Sequence, residues 1–239
     1  MTERMARVMF HLCKSLAFHE LERILLGYYD VVVGIDEAGT GALFGPVVAV
    51  AVRYDPSVIY ENVRDSKLMK PKEIKEAYDF LAPRVEFGVG VVSATEINTL
   101  LKNVKEAGFV ARSRAFESLL GLFKEKKKKY KRIVAVVDHF PLAVPGVDCL
   151  SVTHGDRVVY SCAVASILAK DIRDTIVVSL AREHPEWAPY KLESNKGYRS
   201  PDHLCAIATY GPTSEHRLHL REVKRAAEMV EVRLHGKRG

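Results

Sequence analysis

The chain has 239 residues, 48% hydrophobic and 28% charged, and its 36 Lys and Arg against 30 Asp and Glu give a formal charge of +6 with histidine neutral. Fractions of this kind belong to ordinary globular chains and exclude intrinsic disorder, while no apolar run approaches the ~18 to 20 residues that cross a bilayer. Cysteines 13, 149, 162 and 205 form no CxxC pair and no His/Cys set with zinc spacing, which excludes a disulfide scaffold and a zinc site. A soluble, cytoplasmic protein is expected. Its first segment is expected to be retained, because charged residues from Arg4 to Arg23 interrupt any signal-like apolar stretch. A net charge of +6 suits a nucleic-acid partner without requiring one.

In chain order, apolar residues from Met5 to Leu25 recur at helical spacing and predict one or two amphipathic helices ending at Gly27, a helical extension over 1–30. Val31 to Asp36 and Pro46 to Val52 read as strands of a hairpin around a glycine-rich stretch. Pro71 opens a short helix through Leu81, and Val85 to Val92 is a third strand. Ser93 with Glu96 forms a capping-box pattern whose helix runs on toward Leu122. Six lysines then crowd into 124–131, the usual composition of a solvated helix end. Ile133 to Asp138 and Val147 to Val152 are the fourth and fifth strands, Val158 to Ala181 a packed helix, and Ser200-Pro201 the start of another toward Thr209. A basic helix over Glu215 to Leu234 closes the chain. Strands that give way to alternating strands and helices predict a single α/β domain over 31–239.

Two of these strands end in acid, Val31 to Asp36 with Glu37 beside it and Ile133 to Asp138. If they are parallel neighbours, the carboxylates converge at the sheet edge where open α/β sheets bind ligands. Clustered carboxylates repel one another unless a cation sits among them, and hard oxygen donors favour Mg²⁺ or Mn²⁺. The plainer reading of each is an acid that satisfies a loop or caps a helix. Gly39-Thr40-Gly41 follows the doublet and could offer backbone N–H groups to phosphate, or could simply be a turn. Asn195-Lys196-Gly197-Tyr198 presents a tyrosine beside glycine and cations, a pattern suited to a sugar or base, with Lys196 on phosphate, and equally suited to a surface loop.

Taken in order, Gly34-Ile35-Asp36-Glu37-Ala38-Gly39, Gly45-Pro46, Asp65-Ser66-Lys67, Asp138, His154-Gly155-Asp156, Ala165 to Lys170 with Arg173-Asp174, Asn195 to Tyr198 with His203, and Tyr210 to Thr213 with His216-Arg217 resemble ribonuclease HII. The resemblance implies a ribonuclease H-like fold, a mixed five-stranded sheet flanked by helices with additional helices at the C-terminus. It implies endonucleolytic cleavage of RNA in RNA–DNA hybrids, leaving 5′-phosphate and 3′-hydroxyl ends, in primer or misincorporated-ribonucleotide removal. Asp36, Glu37, Asp138 and Asp156 correspond to the family's four acids, with Asp36, Glu37 and Asp138 as ligands of a two-metal Mg²⁺ or Mn²⁺ site. Gly39, Thr40, Gly41 and Tyr198 correspond to the elements that recognise the ribose 2′-hydroxyl, and Lys67, Ser166, Lys170 and Lys196 are candidates for phosphate contact or support. Asp171 and Asp174 read as structural. The implied partner is an RNA–DNA hybrid or a DNA duplex containing ribonucleotides, bound by a monomer with no membrane association.

One departure stands out. Thr40 occupies the position where ribonuclease HII has Arg between its glycines, and Phe44 replaces the usual Ala; both look like ribonuclease HIII, whereas Asp156 and the short N-terminal segment look like HII. The alternatives are therefore a ribonuclease HIII-like enzyme weak at single-ribonucleotide junctions, a non-catalytic hybrid-binding domain, or another metal-dependent nuclease on the same sheet.

Overall fold

The computed structural model describes residues 18–101, 103–138, 144 and 146–235. The expected helical periodicity before residue 18 lies outside them, and the described remainder forms α1, Glu20–Leu26, closed by Gly27. The chain packs as two compact units. The first comprises residues up to Ala38, Val48–Val91 and Phe109–Asp171, and the second Gly39–Val47, Val92–Gly108 and residues from Ile172 on.

The first unit is built on β1 (Val31–Ala38), β2 (Val47–Arg53), β3 (Phe87–Val92), β4 (Ile133–Asp138) and β5 (Asp148–Val152), in the order β3-β2-β1-β4-β5. β1 and β2 are antiparallel, as a hairpin requires, while β1–β4 and β4–β5 are parallel, so the sheet is mixed. The near-continuous Val/Ile/Ala runs of β1, β2 and β4 are buried, as strands covered on both faces should be. Helix α2 is Pro71–Leu81, with Pro at its first turn as expected. The long helices are α4 (Val104–Glu125) and, after the single-turn α5 (Gly155–Val158), α6 (Tyr160–Glu183). Helix α6 crosses β1 at Gly34, where an added Cβ would stand 2.3 Å from the Ser161 carbonyl carbon. Only glycine lets the helix backbone lie on the strand there.

Two helix expectations are corrected. Ser93 and Glu96 do form the capping box, but its helix, α3 (Ala94–Thr99), stops there, because Asn103 restarts the chain as the N-cap of α4, its Oδ1 accepting from Glu106 N at 3.0 Å. The last helix, α9 (Arg221–His235), begins at Arg221 rather than Glu215. Residues 213–217 are used otherwise: Arg217 N donates to Leu43 O at 2.9 Å and His216 forms a β-bridge with Phe44.

The second unit has its own apolar core, in which Leu43, Phe44 and Val177 pack with Trp187, Tyr190, Leu192, Ile207 and Val223. Its remaining helices are α7 (Leu192–Asn195) and α8 (Pro201–Tyr210), the latter capped by Ser200 Oγ on His203 N as the Ser-Pro pattern predicts. Among the described residues no helix is long and apolar enough to cross a membrane.

Candidate active site

Parallel pairing sets Ile35 opposite Val137, so the next residues, Asp36 and Asp138, emerge together at the carboxyl ends of β1 and β4 and share a face. Asp36 is buried, and its carboxyl is held well above the ordinary range by that burial, then by the charge of Glu37, with Asp138 adding to the effect. Asp138 Oδ1 accepts from Gly155 N at 2.9 Å, which ties it to the turn carrying Asp156. The chain enters α5 through His154 in the left-handed region, φ 58, and Asp156 is buried in the helix that follows. The four predicted acids thus lie in one unit.

Each outer acid meets a cation. Arg112 Nη1 is 2.7 Å from Glu37 Oε2, and Lys67 Nζ is 3.0 Å from Asp156 Oδ2. Lys67 is largely exposed, and its ammonium pKa is raised by the Asp156 contact and by Asp36 against an opposing cost of burial. Ser166 is buried, bonded to Ser66 Oγ at 2.8 Å and to the Asp36 carboxylate. It supports an acid rather than facing outward. Asp65, paired with Arg157 at 2.9 Å, caps the turn that carries Lys67 by accepting from Lys67 N. Sequence reasoning missed Arg112, whose signal was a lone cation on the buried face that α4 makes with Ala107, Ala111 and Ala115. It also missed Glu22 of α1, which is buried with Oε1 accepting from Ser161 N and Oγ, so that α1 caps the start of α6.

The second unit holds the glycine loop and Tyr198. Gly39 has φ 92, and a Cβ on it would approach Pro46 O at 2.7 Å, so glycine is required. Thr40 and Gly41 are exposed, and nothing lies within 4 Å of where a Gly41 side chain would start. Arg217, fully buried, donates to the carbonyls of Gly39, Ala42, Gly45 and Pro46 at 2.7 to 3.1 Å and so fixes the loop's shape. Arg173 donates to Phe44 O and Lys196 O, pairs with Asp174, and lays its guanidinium carbon 4.6 Å from the centroid of the Tyr198 ring. Tyr198 is therefore half-buried with a cation on its face, not the exposed ring the sequence suggested. Asp174, expected to be structural, is the acid that Arg173 pairs with at 3.0 Å. Lys196 turns its ammonium onto Glu193 O and supplies its own carbonyl to Arg173.

A protein-family model for ribonuclease HII matches residues 33–225. The chain belongs to the ribonuclease HII family. It is 34% identical over 203 residues to the ribonuclease HII of Caldicellulosiruptor bescii, covering 84% of this chain and 92% of that one. Among solved structures, the Mn²⁺ complex of Bst-RNase HIII superposes with a TM-score of 0.65 at 21% identity, over 84% of this chain and 70% of that one. The ribonuclease H2 of Pyrococcus horikoshii gives 0.64 at 20% identity, over 84% and 99%. The fold is thus ribonuclease H-like, and the protein is an endoribonuclease of the ribonuclease H class, which acts on RNA–DNA hybrids.

As a ribonuclease HII, the chain offers a divalent metal a chemically apt donor set. Three carboxylates interact strongly at Asp36, and the innermost is buried and costly to ionise, the condition that a hard cation relieves. Among the described residues, no group of three His, Cys, Asp or Glu side chains stands ready to hold an ion, with Glu37 drawn to Arg112 and Asp156 to Lys67. The lysine run at 124–131 lies before β4, and Asp138 closes that strand, about 17 Å along it at ~3.3 Å per residue. Lys126 and Lys128 there pair with Glu86, and these contacts together with Arg53 bring that carboxyl to about 2 despite the opposing effect of burial. Part of the basic run is thereby structural. Lys170, half-buried on α6, belongs to the same unit as the acids.

Proposed function

We propose that this ribonuclease HII hydrolyses the RNA strand of RNA–DNA hybrids at a two-metal site built on Asp36, Glu37, Asp138 and Asp156, leaving 5′-phosphate and 3′-hydroxyl ends. The observation that carries the reading is the parallel register that sets Asp36, with Glu37 next to it in the chain, beside Asp138 on the neighbouring strand, inside the family match. Bound Mg²⁺ or Mn²⁺ supplies activation of the attacking water and neutralisation of charge on the departing 3′ oxygen. The chain's part is to present the donors. Asp36 and Asp138 are the central ligands, held by Ser166 and by Gly155 N respectively. Glu37 and Asp156 complete the set, each held in an ion pair, Glu37 with Arg112 and Asp156 with Lys67. Lys67, being largely exposed, is free to swing toward a phosphate.

In the same reading Gly39, Thr40, Gly41 and Tyr198 select the ribose 2′-hydroxyl, and Lys170 and Lys196 support phosphate. The exposed Thr40 lacks the guanidinium of the usual family loop. It weakens cleavage beside a single ribonucleotide in DNA while leaving cleavage of longer ribonucleotide runs intact. A role in removing primers or misincorporated ribonucleotides follows from that substrate class.

One assay series tests these readings. Hybrid, single-ribonucleotide, four-ribonucleotide and all-DNA duplexes are offered with Mg²⁺ or Mn²⁺, with and without chelator, to the wild type and Asp138→Asn. Chelator-sensitive cleavage of the hybrid by the wild type alone is expected, and its absence with either metal would leave a hybrid-binding domain. Equal rates on one and four ribonucleotides would sink the Thr40 reading.

A further inference from the structure

Two buried histidines in the second unit, His203 of α8 and His216 of the segment before α9, face each other with their Nε2 atoms 3.0 Å apart. Their outer nitrogens decide which way the protons lie. His203 Nδ1 is 2.9 Å from the Tyr198 carbonyl, which can only accept, so this nitrogen carries hydrogen. His216 Nδ1 receives the Thr213 backbone N–H at 2.9 Å, so this nitrogen is bare. A neutral His216 then bears its proton on Nε2 and donates it to the bare Nε2 of His203. The four groups form one directed chain, from Thr213 N–H through His216 and His203 to Tyr198 C=O. Burial lowers the pKa of both rings, consistent with two neutral imidazoles. A proton added to either ring would place two N–H groups against each other or against the Thr213 N–H.

The chain has an anchor at each end. His216 bridges Phe44 at the close of the glycine loop and packs edge-on against its ring, centroids 5.1 Å apart. Tyr198 has its ring face against Arg173, which also donates to Phe44 O. The backbone of Tyr198 is thus pinned by histidine and its ring by arginine, and both devices lead back to Phe44.

We infer that His203 and His216 are positioning residues that set the height and tilt of Tyr198 relative to the glycine loop, and through it the enzyme's preference for ribose. This rests on the reading of Tyr198 as the group that recognises the 2′-hydroxyl. The pair touches no substrate. It acts by fixing one carbonyl, and a shift of that carbonyl is passed directly to the ring it carries.

The test compares kcat/KM on a four-ribonucleotide duplex with that on the same duplex carrying 2′-fluororibose beside the scissile bond, alongside the thermal midpoint of each variant. Tyr198→Phe lowers the ribose-to-fluororibose ratio by about tenfold or more, the loss of one hydrogen bond to substrate. His203→Phe lowers the ratio to the same extent, whereas His203→Asn, whose amide N–H can still donate to Tyr198 O, retains most of it. A wild-type ratio in His203→Phe with only a lowered midpoint would make the pair purely structural and overturn the inference. A wild-type ratio in Tyr198→Phe would instead overturn the reading of the tyrosine itself, and the inference with it. Should His203→Phe not fold, ¹⁵N spectra of the wild-type imidazoles decide: His203 as the Nδ1–H tautomer and His216 as Nε2–H support the chain, and any other pairing breaks it.

Discussion

In the first unit the charges that crowd together are carboxylates, buried Asp36 beside Glu37 and Asp138, with the buried Arg112 paired to Glu37 and Lys67 to Asp156. In the second they are guanidiniums, Arg217 and Arg173, and both are met by backbone carbonyls. Arg217 also feels its burial, which brings it down to about 9, ahead of the repulsion from Arg173. It is still charged at neutral pH. A buried anion left beside other anions is costly to the fold and useful to a cation-dependent reaction, whereas a buried cation met by carbonyls is useful to shape. The contrast separates residues kept for chemistry from residues kept for geometry.

Asp138→Asn is the largest break of that contrast. The amide keeps the oxygen that accepts from Gly155 N and removes one of the repelling charges, so hybrid cleavage should fall by about 10³-fold while the thermal midpoint holds or rises. A parallel loss of activity and midpoint would show that the carboxylate serves the fold instead. Arg217→Met should do the reverse in the second unit. The carbonyls of Gly39, Thr40, Ala42, Gly45 and Pro46 lose their donor, which costs about 3 kcal/mol or more, read as a lower urea midpoint with unchanged slope. Arg217→Lys should fall between, since one ammonium cannot reproduce the fork that spans Gly39 to Pro46.

Acid sharpens the comparison on the second unit's side. His216 is pulled from 6.5 to about 3, by burial first and then by His203. Once unfolded, the chain takes up this proton as pH falls through 6.5, and the folded protein does not until about 3. The stability contributed is therefore complete above pH 6.5 and is lost between 6.5 and about 3. His203 faces the ring and shifts the same way, and Tyr190, packed beside it, is raised and stays neutral throughout. Urea unfolding at pH 7, 6 and 5 should show a slope that His216→Phe reduces by up to about 1.4 kcal/mol per pH unit. Identical slopes in both proteins would mean that the ring is not held neutral.

Much of the first unit was legible because strand chemistry is local. The β-branched runs gave β1, β2 and β4 with ends correct to within two residues, and the acids near the carboxyl ends of β1 and β4 stood out. The resemblance then supplied Asp156, which no periodicity distinguishes from any other loop acid. What stayed hidden depends on contacts distant in sequence. Arg112 reaches Glu37 across 75 residues, Glu22 reaches Ser161 across 139, and Arg217 reaches Gly39 across 178. Arg173, Arg217, His203 and His216 stood in the motifs, but only the folded chain shows that they serve backbone carbonyls and each other. The helix break at Asn103 sits inside a run of apolar residues at helical spacing, and the side-chain cap that makes it shows only in the folded chain.

The smallest expected effect concerns an acid of the first unit that does no chemistry. Glu22 precedes the segment matched by the family model, yet its carboxylate caps α6, the helix whose Ser166 supports Asp36. Burial raises its pKa against the pull of the Ser161 and Tyr160 hydrogen bonds, and its second oxygen, Oε2, is buried with no partner among the described residues. Glu22→Gln keeps an acceptor for Ser161 N and removes a charge that burial penalises, so it should change stability by less than about 1 kcal/mol, in the stabilising direction at neutral pH. Glu22→Ala removes the acceptor itself and should cost about 1 to 2 kcal/mol. Equal losses in the two variants would mean that the cap depends on charge, and this unit would then hold a buried anion kept for geometry, which is where the contrast with the arginines would fail.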